Sequence, residues 1–426
     1  MVDLPNADPS ISGSQSPGEP FFTVIVPTMN RPEFLEATLK TVLWQTFKNF
    51  EVIVSDNSNL EEVRRKNLEI IEKQPDGSKV RYLRPGQWLN MPDHFEFASR
   101  EARGTYVLIL TDRRVMLPHS LEYLHSQIMS RAPGIGLVCW CDHWSYSELS
   151  GMVKIGRFRG LTKVLKSKDL MEEFARFTPW IEGGYWSQQI PHTCNGCYHG
   201  GLAKEIRKIY GKLFVPVSPD FMAGFLMLAH TPEVLFIDKP LYLQHAAKLL
   251  GNGSASFLDG VEGYTNSFPE VDPYEGAPVR LNTLFNTLVR DFLKAKEMTG
   301  DKFSGIHPNW VGYYVTNYLE ILDKQKMGSG MNLTDLFTLW NEGLAKLAPA
   351  DQTEVWEIIG SFRNKKSSWI AFRRWVRGSG LAPFYSMAIG KIRNLRQRFS
   401  GKPVYSSVFE AAEKTDEVLT KDSTVR

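Results

Sequence analysis

Short apolar stretches alternate with longer amphipathic stretches over the first part of the chain, and the apolar stretches end in polar residues. Apolar runs of four to six residues are typical of buried strands, while apolar residues three or four positions apart indicate helices. Strand–helix repeats in succession predict a parallel sheet within an α/β fold. The predicted strands are Phe21–Val26, Phe50–Val54, Val80–Leu83 and Tyr106–Leu110, and the predicted helices are Glu33–Gln45, Leu60–Lys73, Pro92–Arg103 and Pro118–Ser130.

The alternation weakens after a fifth predicted strand at 135–144. Residues 178–201 are rich in Gly, Trp, Tyr and His, which favours a substrate-facing insert. Residues 251–278 are rich in Gly, Ser and Pro and predict a boundary, and the four amphipathic stretches beyond it predict helices. The predicted division of the 426 residues is a disordered tail (1–20), an α/β domain (21–260), a helical domain (279–365), a basic amphipathic segment (366–402) and a tail (403–426).

The composition narrows the class of protein. The formal net charge of +3 does not suggest a polyanionic partner, and no recognised nucleic-acid module is present, so no nucleic-acid partner is expected. No apolar run reaches the roughly 18 residues of a membrane-spanning helix. The first 20 residues lack both a cationic start and an apolar segment, so no ordinary signal peptide is expected and a cytoplasmic location is predicted.

One local charge cluster stands out. Residues 363–402 contain eleven Lys or Arg and no Asp or Glu. Trp369, Phe372 and Val376 fall on one helical face with arginines among them, which suits peripheral contact with an anionic membrane surface. The alternative is a helix packed on the neighbouring domain with a solvated basic side.

The four cysteines form two close pairs, Cys139 with Cys141 and Cys194 with Cys197. Four thiolates could hold zinc in a cytoplasmic protein. Because Cys139 lies in an apolar strand-like run, buried free thiols are the favoured interpretation.

Candidate chemistry sits where predicted strands end. Asp56 and Asp112 follow predicted strands directly, and Arg113 and Arg114 stand beside Asp112. Parallel strands gather their carboxyl ends at one edge, where α/β proteins bind ligands, and arginine pairs suit anionic ligands there. Asp220 precedes an apolar helix, so it is either a catalytic acid or base or a helix N-cap.

The opening motifs resemble those of the family 2 glycosyltransferases, which have the GT-A fold. The resemblance runs from Phe22 to about residue 250. The motifs that carry it are Val24-Ile-Val-Pro-Thr-Met-Asn-Arg31, Leu39-Lys-Thr-Val-Leu-Trp-Gln45-Thr46 and Phe50-Glu-Val-Ile-Val-Ser-Asp56-Asn-Ser58. Family membership implies a nucleoside-diphosphate sugar donor and inversion at the anomeric carbon.

The resemblance also implies a nucleotide pocket. Asp56 would accept a hydrogen bond from the N3–H of uracil or thymine, which favours UDP, and Arg31 would meet the diphosphate. The residues implied for nucleotide binding are Pro27, Thr28, Asn30, Arg31, Asp56, Arg84, Asn90, Thr111, Asp112 and Arg113.

Thr111-Asp112-Arg113 stands where the family usually has its D-x-D motif, which holds Mg²⁺ or Mn²⁺ against the diphosphate. This departure from the motif leaves three alternatives. In the first, Arg113, with or without Arg114, supplies the positive charge that a cation supplies elsewhere in the family. In the second, a metal is held by Asp112 and His245, and in the third, the site is degenerate and inactive.

Ser218-Pro219-Asp220 resembles the family motif that supplies the general base, so Asp220 would take the proton of the acceptor hydroxyl. The family receives its acceptor near His192, Asn195, Tyr198 and His199, and Trp180, Tyr185 and Trp186 could stack on sugar rings there.

These features together predict an inverting glycosyltransferase that acts on a glycan or lipid-linked acceptor in surface polysaccharide synthesis, at the inner membrane face. A non-catalytic nucleotide-sugar-binding or scaffold protein on the same fold is the alternative. A nucleotidyltransferase is disfavoured because the segment Pro27–Asn30 contains no glycine for a phosphate loop.

Overall fold

The computed structural model describes residues 18–141, 145–154, 160–178, 190–246, 259–362 and 403–423. Its strands form two sheets, one of eight strands and one of four. The strands are β1 (Phe22–Thr28), β2 (Phe50–Asp56), β3 (Val80–Leu83), β4 (Tyr106–Ile109), β5 (Arg114–Met116), β6 (Leu137–Trp140), β7 (Ser145–Ser147), β8 (Met152–Lys154), β9 (Thr162–Lys166), β10 (Gly196–His199), β11 (Glu233–Ile237) and β12 (Tyr242–Ala246).

Helices cover both faces of the large sheet and make up most of the described chain beyond residue 259. The helices are α1 (Pro32–Leu43), α2 (Glu61–Glu72), α3 (Met91–Arg100), α4 (Ser120–Arg131), α5 (Ser167–Ala175), α6 (Gly200–Tyr210), α7 (Pro219–His230), α8 (Glu262–Thr265), α9 (Leu284–Thr299), α10 (Trp310–Met327), α11 (Leu333–Leu344), α12 (349–362) and α13 (Val408–Ser423). In the part of the chain that the structure describes, none of them is both long and apolar enough to cross a membrane.

The large sheet has the order β3-β2-β1-β4-β10-β6-β11-β9. The first four strands are parallel neighbours, and β6 and β11 are parallel to each other. Strand β10 is antiparallel to both of its neighbours, and β9 is antiparallel to β11. The predicted mixed α/β fold with a mostly parallel sheet is therefore confirmed.

The register brings the ends of the central strands together. Phe22 pairs with Phe50 on one side and Tyr106 on the other, so β1, β2 and β4 start at the same level. Thr28 pairs with Asp56 at the far end of β1. The loops after these strands consequently emerge side by side at the carboxyl edge of the sheet. The apolar residues of β1 and β2 are buried because α helices cover both faces.

The small sheet has the order β5-β12-β7-β8 and begins directly after the turn that follows β4. Helix α13 packs on it through Val408, Ala411, Ala412 and Leu419, which bury against residues such as Val115 and Leu243. The sequence interpretation treated 403–426 as a tail, although the spacing of these apolar residues is helical.

The helices after residue 279 share an apolar core with the α/β region. Phe292 of α9 lies 5.3 Å from Phe174 of α5 and 5.9 Å from Phe225 of α7, between ring centroids. Phe285 lies 5.8 Å from Phe177. The predicted helical region is thus present, and its first helix is built into the same core as the sheet.

Several sequence-based predictions concern residues outside the described ranges. These are residues 1–17 of the predicted disordered tail, the aromatic residues Trp180, Tyr185 and Trp186, and the basic amphipathic segment 366–402.

Candidate functional site

The turn after β4 places Asp112 beneath the carboxyl edge of the sheet. Its side chain is 6% exposed. The Thr28 hydroxyl donates to Oδ2 of Asp112 over 3.0 Å, and Nη1 of Arg31 lies 3.7 Å from Oδ1. The residues that end β1 therefore contact the acid that follows β4, as the sequence predicted.

Burial dominates the ionisation of Asp112. It raises the pKa of this carboxyl to about 6, against the opposing effects of the Arg31 charge and the Thr28 hydrogen bond. A low-dielectric site disfavours the charged form unless it is fully paired. The carboxylate therefore gains a proton at a higher pH than an exposed aspartate does.

One face of α1, together with Gln45 two residues beyond its end, holds the backbone of this turn in place. The Thr38 hydroxyl lies 2.8 Å from the carbonyl oxygens of both Asp112 and Arg114. The Thr41 hydroxyl accepts from the N–H of Met116, and Nε2 of Gln45 donates to the Leu117 carbonyl over 2.8 Å. Sequence reasoning missed this role. The available signal was three polar residues at helical spacing on a face that is otherwise apolar.

Arg113 follows Asp112 in the chain and is partly exposed. Its guanidinium carbon lies 5.4 Å from the centroid of the Phe34 ring, and Nη2 lies 3.4 Å from the His245 carbonyl oxygen. Burial and then the nearby Arg31 charge lower the pKa of Arg113. The charges of Arg31 and Arg113 therefore both act on the Asp112 carboxyl, and these three side chains together carry a net positive charge.

The residues at this turn fit an anion site better than a site for Mg²⁺ or Mn²⁺. Asp112 supplies one carboxylate, and it is already bound by Thr28 and Arg31. His245, the other predicted ligand, places Nε2 2.6 Å from Oε1 of Glu148. A divalent cation here would also be repelled by the charges of Arg31 and Arg113, which already act on Asp112.

Asp56 is buried at the end of β2 and accepts three hydrogen bonds. The donors are the Ser58 N–H at 2.8 Å, Nδ2 of Asn67 at 2.9 Å and the Tyr82 hydroxyl at 2.9 Å. Burial and then the Asp56 hydrogen bond raise the pKa of Tyr82. The predicted contact of Asp56 with a base stays a prediction, and its partners Asn67 and Tyr82 were not identified from the sequence.

The other predicted nucleotide-binding residues lie around the same edge. Asn30 has a left-handed backbone, with φ of 56°, and its N–H donates to the Ser58 hydroxyl over 2.9 Å. Pro27 pairs with Ser55 within the sheet, and the Thr111 carbonyl accepts from the N–H of Arg114 to close the turn. Local structural roles are therefore visible for each of these residues.

Two weaker predictions also have local structural partners. Asn90 is the N-cap of α3 and accepts from the Asp93 N–H over 2.9 Å. Nη1 of Arg84 lies 3.7 Å from Oε2 of the exposed Glu61. Asn90 thus has a structural role as a helix cap, and Arg84 has one in a surface ion pair.

Asp220 occupies the first turn of α7 beside His192. Nδ1 of His192 lies 3.3 Å from Oδ2 of Asp220, and the imidazole stacks on the Phe221 ring with centroids 4.7 Å apart. Gly224 permits this approach, because a Cβ at this position would lie 2.2 Å from the Pro191 carbonyl oxygen. The segment before β10 therefore rests directly on α7.

Opposing effects act on the ionisation of Asp220. Burial would raise its pKa, but the hydrogen bond and charge of His192, together with N–H groups of the first turn, lower it below its usual value. The carboxylate is consequently ionised near neutral pH, while its side chain remains 22% exposed. An ionised, accessible acid is able to accept a proton.

Arg114 connects the two halves of the site. Its Nη1 donates to the Cys194 carbonyl, and the Tyr242 hydroxyl donates to the same oxygen over 3.0 Å. The guanidinium lies 4.6 Å from the centroid of the Tyr242 ring. The suggested role of Arg114 in binding an anionic ligand is therefore not supported, because this side chain is buried and holds the segment beside Asp220.

The predicted acceptor residues separate into two groups. Asn195 lies at the carboxyl edge with His192, whose N–H donates to Oδ1 of Asn195 over 2.9 Å. Tyr198 and His199 lie along antiparallel β10, and His199 pairs with Tyr106 at the start of β4. The four residues therefore do not lie together, because β10 runs from the edge that carries Asp220 to the opposite one, and their contact with an acceptor stays a prediction.

The opposite edge has a cavity of its own, of about 900 Å³. Its lining includes Lys48, Arg103 and Lys204 together with Tyr198 and His199. None of the predicted nucleotide-binding residues lines it. This cavity is therefore separate from the site at Asp112 and Asp220.

The cysteines do not form the suggested four-thiolate zinc site. All four are buried free thiols, as the favoured interpretation predicted, and burial raises the pKa of Cys139 and Cys197. Among the described residues, one group of three metal-binding side chains has its ligand atoms within 4.8 Å of one another, namely His192, Cys194 and Asp220. A thiol-containing set suits zinc better than Mg²⁺ or Mn²⁺.

A mostly parallel sheet with a cationic carboxyl edge is typical of α/β proteins that bind phosphorylated ligands at that edge. Residues 23–139 match the family described as "Glycosyl transferase family 2", so this segment is a family 2 glycosyltransferase domain. The match includes β1 to β4, Asp56 and Asp112, and the predicted resemblance is confirmed there.

Two relatives match parts of the chain. A GalNAc(5)-diNAcBac-PP-undecaprenol beta-1,3-glucosyltransferase of Campylobacter jejuni is 31% identical over 108 residues, which cover 25% of this chain and 33% of the relative. An uncharacterized protein, y4gI, of Sinorhizobium fredii is 32% identical over 125 residues, covering 28% of this chain and 13% of the relative. The matches thus span a third or less of the relatives' own lengths.

Solved structures that align with most of this chain include two in complex with a nucleotide sugar. Staphylococcus aureus TarS 1–349 in complex with UDP-GlcNAc aligns with a TM-score of 0.44 and 16% identity, over 81% of this chain and 92% of that one. The mannosyltransferase PcManGT from Pyrobaculum calidifontis, in complex with GDP-Man and Mn²⁺, aligns with a TM-score of 0.39 and 16% identity, over 82% and 88%.

Proposed function

We propose that this chain is an inverting glycosyltransferase that moves a sugar from a nucleoside-diphosphate sugar to a hydroxyl group of a glycan or lipid-linked acceptor. The observation that carries the proposal is that the chain has both a cationic turn at Asp112 and an ionised, accessible carboxylate at Asp220. The first lies in the family 2 domain and the second in the segment that follows it. UDP is the favoured nucleotide.

The donor would bind at the carboxyl edge of β1, β2 and β4. Arg31 and Arg113, whose charges both act on Asp112, would neutralise the diphosphate, since guanidinium groups bind phosphate oxygens in a bidentate way. Fixed positive charge at the leaving group stabilises the negative charge that develops there as the sugar departs. Asp112 orients Arg31 and limits the net charge of the site.

Asp220 would act as the general base. It takes the proton of the acceptor hydroxyl as the acceptor oxygen bonds to the anomeric carbon, and the bond from that carbon to the diphosphate oxygen breaks. The nucleoside diphosphate then leaves with the electron pair of that bond. His192 would hold the carboxylate through its Nδ1 contact. Attack opposite the leaving group gives inversion.

A lipid-linked acceptor is favoured by the activity of the Campylobacter relative, a glucosyltransferase that acts on an undecaprenol-linked glycan. The basic segment 366–402 would then provide peripheral contact with an anionic membrane, at the inner face of the cytoplasmic membrane. Such a transfer would be a step in surface polysaccharide synthesis.

The alternative is a nucleotide-sugar-binding protein without transferase activity. The observation that favours it is the replacement of the usual outer carboxylate positions by Thr111 and Arg113. Retention of Asp220 beside His192 argues for catalysis, because binding alone does not require a base.

The test combines binding with turnover. Thermal shifts are measured with UDP, dTDP, GDP and CDP, each with Mn²⁺ and with EDTA, since a ligand that prefers the native state raises its apparent stability. Release of UDP from UDP-sugars is then followed with undecaprenyl-diphosphate oligosaccharides as acceptors.

Asp220→Asn should lower kcat by about 10²–10⁴-fold, the usual contribution of a general base, and leave the UDP-induced shift unchanged. A UDP shift without turnover by the native chain supports the non-catalytic alternative. Normal turnover by a folded Asp220→Asn variant removes the assigned role of Asp220.

A further inference from the structure

Two adjacent charged residues of α9, Arg290 and Asp291, are buried beneath the segment that leads into α7. Arg290 is 4% exposed and Asp291 is 0% exposed. Burying a charge without partners is costly, so such residues are retained where they bind something specific. Their main partner is the backbone of residues 216–218, two residues before Asp220.

The contacts cover consecutive peptide groups of this segment. Oδ1 of Asp291 accepts from the Val217 N–H over 3.0 Å, and Oδ2 accepts from the Ser218 N–H over 2.6 Å. Nη1 of Arg290 donates to the Pro216 carbonyl over 2.7 Å and lies 3.0 Å from Oδ1 of Asp291. One carboxylate and one guanidinium therefore fix three consecutive residues.

Two further side chains complete this arrangement. The Tyr264 hydroxyl donates to the Val217 carbonyl over 2.9 Å. Oε2 of Glu275 lies 3.1 Å from Nη2 of Arg290 and orients the guanidinium. We call Tyr264, Glu275, Arg290 and Asp291 the loop clamp.

The clamped segment sets the start of α7. The Ser218 carbonyl accepts the N–H of Met222 over 2.9 Å, which is the first helical bond of α7. The Asp220 carbonyl accepts from the Thr193 N–H over 3.3 Å and joins this turn to the segment of His192. The orientation of the Asp220 carboxylate therefore depends on where residues 216–218 are held.

We propose that the loop clamp positions the general base, Asp220. Helix α9, which follows the predicted boundary at 251–278, then forms part of the catalytic apparatus. This inference rests on the proposed function, because it needs Asp220 to act as the base. Asp291 is a positioning residue: its side chain is 0% exposed, and it acts through the backbone before Asp220. A displacement of about 1 Å at a reacting group can reduce a rate by 10²-fold.

Asp291→Asn tests the inference, with Glu320→Gln as a matched control. Glu320 is also buried, at 2% exposure, and accepts from two backbone N–H groups, Leu284 at 2.8 Å and Phe285 at 2.9 Å. It caps the same helix α9 but does not contact the Asp220 segment. Both changes remove a buried negative charge that binds two N–H groups, so their general effects on folding should be comparable.

We expect Asp291→Asn to lower kcat by about 10–10²-fold, with the KM for the UDP-sugar and the UDP-induced thermal shift unchanged. Glu320→Gln should keep kcat within about twofold of the native value. All assays are run at a temperature at which circular dichroism shows each variant to be folded. Arg290→Lys provides a milder second variant, because it keeps the charge beside Asp291 and loses the planar reach to Pro216.

A double-mutant cycle separates positioning from general damage. If Asp291 acts through Asp220, then Asp291→Asn has little further effect in the Asp220→Asn background. Equal losses in both backgrounds, equal losses for Glu320→Gln, or native kcat in both folded clamp variants would each overturn the inference. Absence of turnover by the native chain would instead remove the proposed function.

Discussion

Replacing Asp112 with asparagine should stabilise the protein at neutral pH. The carboxyl is buried, and its pKa is raised from the usual 3.8 to about 6. A raised pKa means that the folded protein binds the proton more tightly than the unfolded chain does. The stability linked to this group is therefore present below about pH 4 and is lost as the pH rises through about 6.

The difference between the two pKa values corresponds to about 3 kcal/mol of folding free energy above pH 6. Asparagine has nearly the same shape, keeps an oxygen that can accept from Thr28, and carries no charge. The pKa of about 6 already includes the opposing effect of the Arg31 charge, so the loss of this ion pair is not subtracted again. The expected gain at pH 8 is therefore about 3 kcal/mol, or about 3 °C in Tm for a chain of this size.

Differential scanning calorimetry of both proteins at pH 5 and pH 8 measures this gain. The electrostatic penalty at pH 5 is about half of its value at pH 8, since the unfolded chain is ionised at pH 5 while folded Asp112 keeps most of its proton. The advantage of Asp112→Asn should therefore grow as the pH rises. A variant less stable than the native protein at pH 8, or an advantage that does not change with pH, would refute this account. Asp76→Asn, at an exposed acid, is a suitable control.

Three further predictions concern the ligands of the site. Arg113→Met, which keeps a side chain over Phe34, should weaken UDP binding at least tenfold in EDTA, as measured by calorimetry; unchanged affinity would argue against arginine as the diphosphate ligand. Zn²⁺ should inhibit turnover by binding His192, Cys194 and Asp220. Cys194→Ser should relieve this inhibition and Cys141→Ser should not. Equal inhibition of both variants would indicate that the metal binds elsewhere. UDP-sugar affinity in EDTA should increase as the pH falls through about 6, because protonated Asp112 leaves the guanidinium charges uncompensated; a decrease would indicate that the ionised carboxylate assists binding.

The main features of the sheet were predictable because they rest on local patterns. Apolar runs ending in polar residues identified β1 to β4, and their parallel order followed from the helices between them. The same logic brought the loops of Thr28, Arg31 and Asp112 together. These predictions needed only the direction of each strand and the point at which it ends.

The errors arose where the direction of a strand could not be inferred. Strand β10 is only four residues long and antiparallel, and a connection of irregular sequence precedes it. Nothing in the sequence near Tyr198 or His199 reveals that the chain is moving away from Asp220. Long-range pairing determined the outcome, while residue type alone suggested an acceptor site.

Long-range polar contacts were also beyond sequence reasoning. The partners of Asp291 lie 73 and 74 residues away along the chain, and those of Asp56 include Tyr82, 26 residues away. Each is a buried acid whose position in a helix or strand would suggest ordinary packing. Such residues become identifiable only when the fold shows that a charge is buried and what it binds.

The buried polar residues of this site share one physical task, which is to fix backbone that carries chemistry on loops. Thr38 and Gln45 hold the turn of Asp112, and Asp291 holds the segment before Asp220. Arg114 then ties the turn of Asp112 to the segment of His192 through the Cys194 carbonyl, and that segment contacts Asp220. Loops alone are mobile, and a transfer reaction needs its charged groups fixed to within a fraction of an ångström. The buried hydrogen bonds thus fix the backbone of these loops to the helices beside them, which is why their loss should reduce turnover before it affects binding.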